Sequence, residues 1–375
     1  MRVLLVNDLH PDEGWGTEVH IRRLAAALAD AGDDVELFAG EVTHRGLGKA
    51  LDLWDPLARR SLSARAAAFR PDVVHHGNVV RELSTSVLGV PRDVPAVMTF
   101  LDHRLAGSGD YDHRSLRGLA DAIVKRPLDT RIARRRLDAC IAVSAPLAER
   151  LRALGFRRVH HVPVYSLDPV VALQPVTASR DIGYVGRLTP DKGIDVLAAA
   201  FGSLAERFPD ARLRVAGEGP ERQRLEQLDA RLGGGRVQLL GRLDETGVSA
   251  LLAGVRLVVV PSLPGRRPEG SPLAAVEAAR HGRPLVASDD PGLVETVRLL
   301  GAGEIVPAGN VTALADALSR LLADDDLAAR WSAASTAAAE QQFATAHVTE
   351  QVRAVHDTVV RAKHDDVVAS RRAAR

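Results

Sequence analysis

Cysteine is nearly missing. The 375-residue chain has one, Cys140, set inside an apolar run. No internal disulfide and no cysteine-based metal site can be built from it, and a small buried hydrophobe is the plain reading. Aromatic residues make up 3% against a hydrophobic share of 46%, so Ala, Leu and Val must fill the core. Lysine occurs only as Lys49, Lys125, Lys192 and Lys363, and arginine carries nearly all the other positive charge. That bias fits a GC-rich genome and carries no function by itself, which sets Lys192 apart. An excess of one charge is also lacking: the net charge is +1, which argues against a dedicated nucleic-acid binder. No apolar run approaches the length of a transmembrane helix. The apolar run after Met1 is too short for a signal peptide. A cytoplasmic location is expected, and the length allows two domains of ordinary size.

What is present is an alternation of short apolar runs with helical patterns. Residues 3–6 read as a buried strand ending at Asn7-Asp8, and a loop containing Gly14, Trp15 and Gly16 leads into apolar helical periodicity through Val19, Ile21, Leu24 and Leu28. Residues 35–38 form the next strand, so the chain opens as βαβ and a parallel sheet is expected. The loop is not G-x-G-x-x-G, so a dinucleotide fingerprint is absent. Residues 71–78 and 95–100 read as two more strands, the second followed by Leu101-Asp102-His103. Residues 104–158 are strongly basic. Such a cluster suits an anionic membrane surface or a phosphorylated acceptor, or else is a solvated helix face in an arginine-rich protein. Residues 165–177, with several prolines and little periodicity, read as a linker.

Beyond the linker, a strand at 182–185 delivers Gly186 and Arg187 to its end, and Lys192 follows just before a helix at 194–204. A guanidinium and an ammonium beside a helix start form an anion site. Two positive charges suit a multiply charged anion such as a diphosphate. Residues 237–240 form a strand turning at Gly241-Arg242-Leu243. A further strand at 255–260 leads through a loop rich in Pro, Gly and Arg to Pro268-Glu269-Gly270-Ser271-Pro272-Leu273-Ala274-Ala275-Val276-Glu277. There Ser271 suits a helix N-cap and Pro272 the first helical position. Helices at 311–322 and about 344–361 complete the alternation. Asp289-Asp290 reads as a loop and Asp324-Asp325-Asp326 as a helix start; no other ligands converge on either, and no metal site is expected.

Two glutamates separated by seven residues, with Gly-Ser-Pro-Leu between them, resemble the motif of the family 4 retaining glycosyltransferases. The Gly186-Arg187-Leu188 and Lys192-Gly193 pairs resemble the diphosphate clamp of the same family. The resemblance spans most of the chain and is most specific between Gly183 and Glu295. It implies an α/β fold of two Rossmann-like domains facing a central cleft, the glycosyltransferase B architecture. The expected bounds are 1–168 for an acceptor-binding domain, 178–343 for a donor-binding domain, a C-terminal helix at about 344–362 packing back on the first domain, and a disordered tail at 363–375.

The resemblance also implies the roles. Arg187 and Lys192 hold the donor diphosphate with Gly186. Arg242 and Leu243 read the base through their backbone, and Glu277 takes the ribose. Glu269 orients the donor sugar with the Gly270 and Ser271 amides, beside Pro272 and Leu273. Gly16 lets a phosphate approach, with Trp15 where the family carries a first glycine. Where the family has Thr-x-His-Asp, Thr99 and Asp102 fit but Leu101 replaces the histidine, so His103, His75 or neither supplies the imidazole. The implied reaction moves a sugar from a UDP-, GDP- or ADP-linked donor to a hydroxyl of a glycan, lipid or small molecule, with retention and without a cofactor or metal. The alternatives are a phosphorylase, a nucleotide-sugar epimerase, or a non-catalytic nucleotide-sugar-binding protein. Peripheral membrane contact through residues 104–158 belongs to the same set of expectations, and nucleic acid does not.

Overall fold

The structure is a computed structural model. It describes residues 1–8, 16–40, 54–79, 83–103, 105, 123, 125–164, 171–263 and 272–373. The chain divides into two units, Met1–Tyr165 with Thr345–Arg375, and Ser166–Ala344.

The first unit is built on six strands, β1 (Arg2–Asn7), β2 (Asp34–Ala39), β3 (Val73–His76), β4 (Ala96–Phe100), β5 (Ala139–Ala142) and β6 (Val159–His161). They pair in the order β2-β1-β3-β4-β5-β6, all parallel. Strands β1, β4 and β5 are short, largely apolar runs because helices cover both faces, leaving no polar side to alternate with, and β3 buries His75 and His76 in the same setting. Around them lie α1 (Gly16–Asp30), α2 (Pro56–Phe69), α3 (Arg126–Arg136) and α4 (Ala145–Ala153). Helix α2 is capped by Asp55, whose carboxylate accepts from the Leu57 and Ala58 amides. Its only buried residues are Leu62, Ala66 and Phe69, a stripe too narrow to read from sequence.

The last helix returns to this sheet. Helix α12 (Thr345–Ala373) puts Val348, Val352, Val355 and Val359 into one core with Val3, Leu5, Ile21, Leu24 and Val97. It runs on through Lys363 to Ala373, so the tail expected to be disordered is helical in the structure. Residues 363–373 contain no glycine or proline, and Ala, Arg and Lys propagate a helix that the buried valines have already nucleated.

The second unit holds β7 (Ile182–Val185), β8 (Leu213–Ala216), β9 (Val237–Gly241), β10 (Leu257–Val260), β11 (Leu285–Ser288) and β12 (Gly303–Val306). The order is β12-β11-β10-β7-β8-β9, again all parallel. The helices are α5 (Ile194–Leu204), α6 (Arg222–Arg231), α7 (Glu245–Gly254), α8 (Leu273–Arg280), α9 (Pro291–Leu300), α10 (Val311–Ala323) and α11 (Asp325–Phe343). Several starts are fixed by side-chain caps: Asp244 to Gly247, Asp290 to Gly292, Asn310 to Ala313 and Asp324 to Leu327. Arg256 and Arg283 of this unit are almost fully buried. Arg256 donates to Leu321 O and pairs with Asp325 at 2.6 Å, while Arg283 donates to the carbonyls of Val255, His281 and Gln174. Each satisfies buried main-chain carbonyls that would otherwise be stranded without water.

In this order the chain leaves β7 toward β8 and β9, then crosses back to β10. The strand order therefore reverses between β7 and β10. In open parallel sheets the crevice at the carboxyl ends of the two strands flanking that point is where ligands bind.

Candidate active site

The loops after β7 and β10 are fastened to each other at the reversal point. After β7 comes Gly186-Arg187-Leu188, then a 3₁₀ turn at Pro190–Lys192, then Gly193 at φ +64, which serves as N-cap of α5. A Cβ at Gly193 would stand 2.0 Å from the Pro261 carbonyl oxygen. Leu263 N donates to Asp191 O at 2.9 Å, and the Ser288 hydroxyl donates to Ser262 O. The strand that leads to the two-glutamate stretch and the turn that carries Lys192 are thus held together by main chain.

On the other side of β7 the turn at residues 217–220 packs edge-on. Gly186 N donates to Ala216 O, Leu188 N to Glu218 O, Glu221 N to Leu188 O, and Gly217 N to Gly241 O, all between 2.8 and 3.0 Å. Gly217 has φ +151, and a Cβ there would fall 1.8 Å from Gly186 O. No side chain fits that position. Gly217→Ala should therefore cost at least about 2 kcal/mol and lower the melting temperature by several degrees. Thermal unfolding would check this, and an unchanged melting temperature would refute the packing described.

Arg187 is half-exposed. Its backbone carbonyl accepts from the Tyr184 hydroxyl at 2.8 Å, and its guanidinium lies 3.3 Å from the Asp191 carboxylate. Burial works against charge on Asp191, but the Thr189 hydroxyl, Arg187 and Lys192 outweigh it and hold the carboxyl below its ordinary value. Asp191 was not expected at the site, although its spacing of four from Arg187 is a readable signal for an ion pair. Arg242 and Leu243 follow β9 directly, beyond Gly241.

Helix α8 starts at Leu273 with Pro272 as its N-cap. The expectation of Ser271 at the cap and Pro272 as first helical residue is one position early. Pro272 has ψ 111, which is extended and not helical. Glu277 lies in the second turn of α8 and is buried. The helix is fixed at its far end by His281, whose Nδ1 reaches Glu277 O and whose Nε2 meets the Ser249 hydroxyl, both at 2.8 Å. A carbonyl only accepts, so Nδ1 carries the proton and Nε2 accepts from Ser249. Glu269, Gly270 and Ser271 lie outside the described residues.

The first unit, by itself, has a matching reversal between β1 and β3. Asp8 N donates to Asn78 O at 2.6 Å, and Asn78 N to the Asn7 side chain at 2.9 Å. A small crevice at the same sheet edge is lined by Thr17, Asn78, Thr99, Leu101 and Asp102 among others. Gly16 is the exposed first residue of α1, and a Cβ there would meet nothing within 4 Å. Neither internal packing nor a left-handed backbone requires glycine there.

His103 is half-exposed in the loop after β4. His75 cannot stand in for the absent imidazole. It is fully buried, its Nε2 meets Thr99 Oγ1 at 2.8 Å, and its Nδ1 meets His356 Nε2 of α12 at 2.8 Å. The strand pleat turns it toward the core under α12, on the same face as Val97 and Leu5. Among the described residues no cluster of His, Cys, Asp and Glu could hold a metal ion, and no helix is long and apolar enough to cross a membrane.

Comparison with known proteins adds the following. Residues 15–164 match the family described as Glycosyltransferase Family 4, and residues 172–337 match Glycosyl transferases group 1. A phosphatidyl-myo-inositol mannosyltransferase of Mycobacterium leprae is 34% identical over 240 residues, 61% of this chain and 62% of that one, so the match spans less than two thirds of that relative's length. The enzyme of the same name from Mycolicibacterium smegmatis is 28% identical over 385 residues, 96% of this chain and 94% of the other. Among solved structures, sucrose-phosphate synthase from Thermosynechococcus elongatus superposes with a TM-score of 0.78 at 21% identity, covering 96% of this chain and 100% of that one. Anabaena HepE in complex with UDP-glucose does so with a TM-score of 0.68 at 20% identity, covering 96% and 100%.

Proposed function

Because this chain belongs to glycosyltransferase family 4, with a group 1 transferase region in its second unit, we propose that it moves a sugar from a nucleotide-diphosphate donor to an acceptor hydroxyl with retention of anomeric configuration. It is a transferase of the glycosyltransferase B architecture. The observation that carries the donor reading is the cation pair. Arg187 and Lys192 stand on one loop at the strand reversal of the second unit, and that loop is tied by main chain to the strand leading into the two-glutamate stretch.

The departing pyrophosphate gains negative charge as the glycosidic bond lengthens. Fixed cations oriented toward it stabilise the transition state more than the ground state, and that difference accelerates the reaction. Asp191 shares the charge of Arg187. A diphosphate offers the guanidinium a stronger partner. Glu277, buried in α8, takes the two vicinal ribose hydroxyls, since a carboxylate accepts from both. Glu269 orients hydroxyls of the donor sugar with the Gly270 and Ser271 amides. Arg242 and Leu243 read the base. The UDP-glucose complex of HepE and the mannosyltransferase relatives support a nucleotide sugar as donor.

In the first unit the acceptor hydroxyl is read at the carboxyl edge near Asp102, with His103 as the nearest candidate imidazole and Gly16 keeping the start of α1 clear of side chain. The diphosphate oxygen itself takes the acceptor proton, which fits a site that offers no evident nucleophile. The cations perform the work that a metal does elsewhere. Incubation with UDP-, GDP- and ADP-sugars and an acceptor panel should give a glycoside with the donor's anomeric configuration, read by NMR, at a rate that survives chelation. Inverted product, epimerised donor without acceptor, or loss of turnover with chelator would each contradict the proposal.

A further inference from the structure

Base recognition by Arg242 and Leu243 and ribose recognition by Glu277 fall on different elements of the second unit, and one buried imidazole joins them. Leu243 lies against the first turn of α7: a Cβ at Gly247 would meet Leu243 Cβ at 3.1 Å. Asp244 closes that junction by accepting from Gly247 N at 2.7 Å. Two residues further along α7, the buried Ser249 donates its hydroxyl to Nε2 of His281 at 2.8 Å. The other ring nitrogen, Nδ1, donates to the carbonyl of Glu277 at 2.8 Å, and the same carbonyl accepts from His281 N at 3.1 Å. The ring of His281 therefore spans from the helix that begins at the base-reading turn to the backbone of the residue assigned to the ribose.

The bridge supplies direction more than bulk. Burial lowers His281 from its ordinary value, the Glu277 carbonyl works against that, and Arg283 and Arg280 add to it. The ring is therefore neutral at neutral pH, and a single tautomer satisfies both partners. A leucine would fill the same space with no buried polar group to satisfy. Nor is the bridge needed to fasten the two helices. Arg283 donates to the carbonyl of Val255, just past α7, and to that of His281, just past α8. Gly183 of β7 leaves room for Val255 and Leu251 beside it. What the bridge adds is a fixed offset, and recognition groups work only when hydrogen bonds around them hold them to within about 0.5 Å.

We propose that Ser249 and His281 are positioning residues for nucleoside recognition, holding the Glu277 carboxylate at a set offset from the Arg242-Leu243 turn so that base and ribose are read together. This rests on the donor reading given above, and adds to it the pair of side chains, 32 residues apart, that joins its two halves.

The test is calorimetric titration of the full chain with UDP, GDP and ADP, with the 2′-deoxy form of whichever binds best, and with inorganic pyrophosphate. The wild type should prefer the ribose form by about tenfold or more. That preference should fall below about threefold in Ser249→Ala, and equally in His281→Phe, which keeps the bulk of a ring. The two substitutions together should do no more than either alone, because both break one bridge. Pyrophosphate carries neither base nor ribose, so both variants should bind it as the wild type does. The melting temperature should fall by only a few degrees, since Arg283 stays in place. A ribose preference that survives in both variants would overturn the proposal and leave the donor reading standing. Loss of pyrophosphate affinity in step with nucleotide affinity would also overturn it, because the whole site would then have collapsed. A wild type that binds none of the three nucleotides, or takes ribose and deoxyribose forms alike, would sink the donor reading and this inference with it.

Discussion

Lys192→Ala should lower sugar transfer by about two to three orders of magnitude while leaving the fold intact. Lys192 N donates to Thr189 O at 2.9 Å to close the turn, and alanine keeps that bond. The side chain is half-exposed, so no core contact is lost. What disappears is one of two cations at the strand reversal, leaving Arg187 to share its charge between Asp191 and the diphosphate. Arginine at position 192 should restore part of the rate, because the charge returns but its shape and reach differ. Steady-state kinetics with the best nucleotide sugar, alongside a thermal melt, distinguish the outcomes. Unchanged turnover in Lys192→Ala would end the donor-clamp assignment.

Acidification from pH 7.5 to 5 should remove about 6 kcal/mol of stability, much of what a domain of this kind possesses. The cause is a set of fully buried histidines in the first unit. Burial lowers His20 to about 3, with Arg23 adding to the effect, and burial alone lowers His76 to about 3. Burial also brings His356 to about 4, opposed by Asp33 and aided by Arg353 and the N-terminus. His75 is pushed well below its ordinary value by burial and then by His356, His20 and His76.

The sign follows from which state binds protons. Below about pH 6.5 the unfolded chain protonates its histidines while the folded chain does not, so stability falls with pH until the folded values are reached. Each group contributes more than about 1 kcal/mol per pH unit in that window, hence about 2 kcal/mol each at pH 5 for His20, His76 and His356. His76→Leu isolates one of them. Both ring nitrogens of His76 are buried without a hydrogen-bond partner, so leucine should keep or raise stability at pH 7.5 and reduce the pH slope by one proton. A melting temperature that holds steady down to pH 5 would show that these rings do not titrate as described.

Some of this was legible in the sequence, for definite reasons. The strands at 3–6, 182–185 and 257–260 are buried on both faces, so they appear as unbroken apolar runs. Asp324 announced a helix start because a short carboxylate there satisfies free amides. Strand β12, at the sheet edge and half-exposed, gave no such run. Past Val360 the tail helix rests on residue propensity with no apolar repeat, and helix α2 shows only its thin stripe. The fate of His75 was out of reach because its partner, His356, is 281 residues further along the chain. The Arg187 and Lys192 loop could be read locally, since strand, turn and helix start are contiguous there. What pins that loop, the amide of Leu263 and the carbonyl of Pro261, could not.

The return of α12 to the first sheet bears on how the protein is made. A ribosome delivers β1 to β6 first, yet one wall of their core is a stretch synthesised only after the whole second unit. Until Val348 to Val359 emerge, that sheet keeps an apolar face and Nδ1 of His75 open to water. The second unit is continuous in sequence and has no such delay, so the later half of the chain should finish folding before the earlier half. A nascent chain stalled at Ala344 should accordingly resist protease in its second unit and be cut in its first.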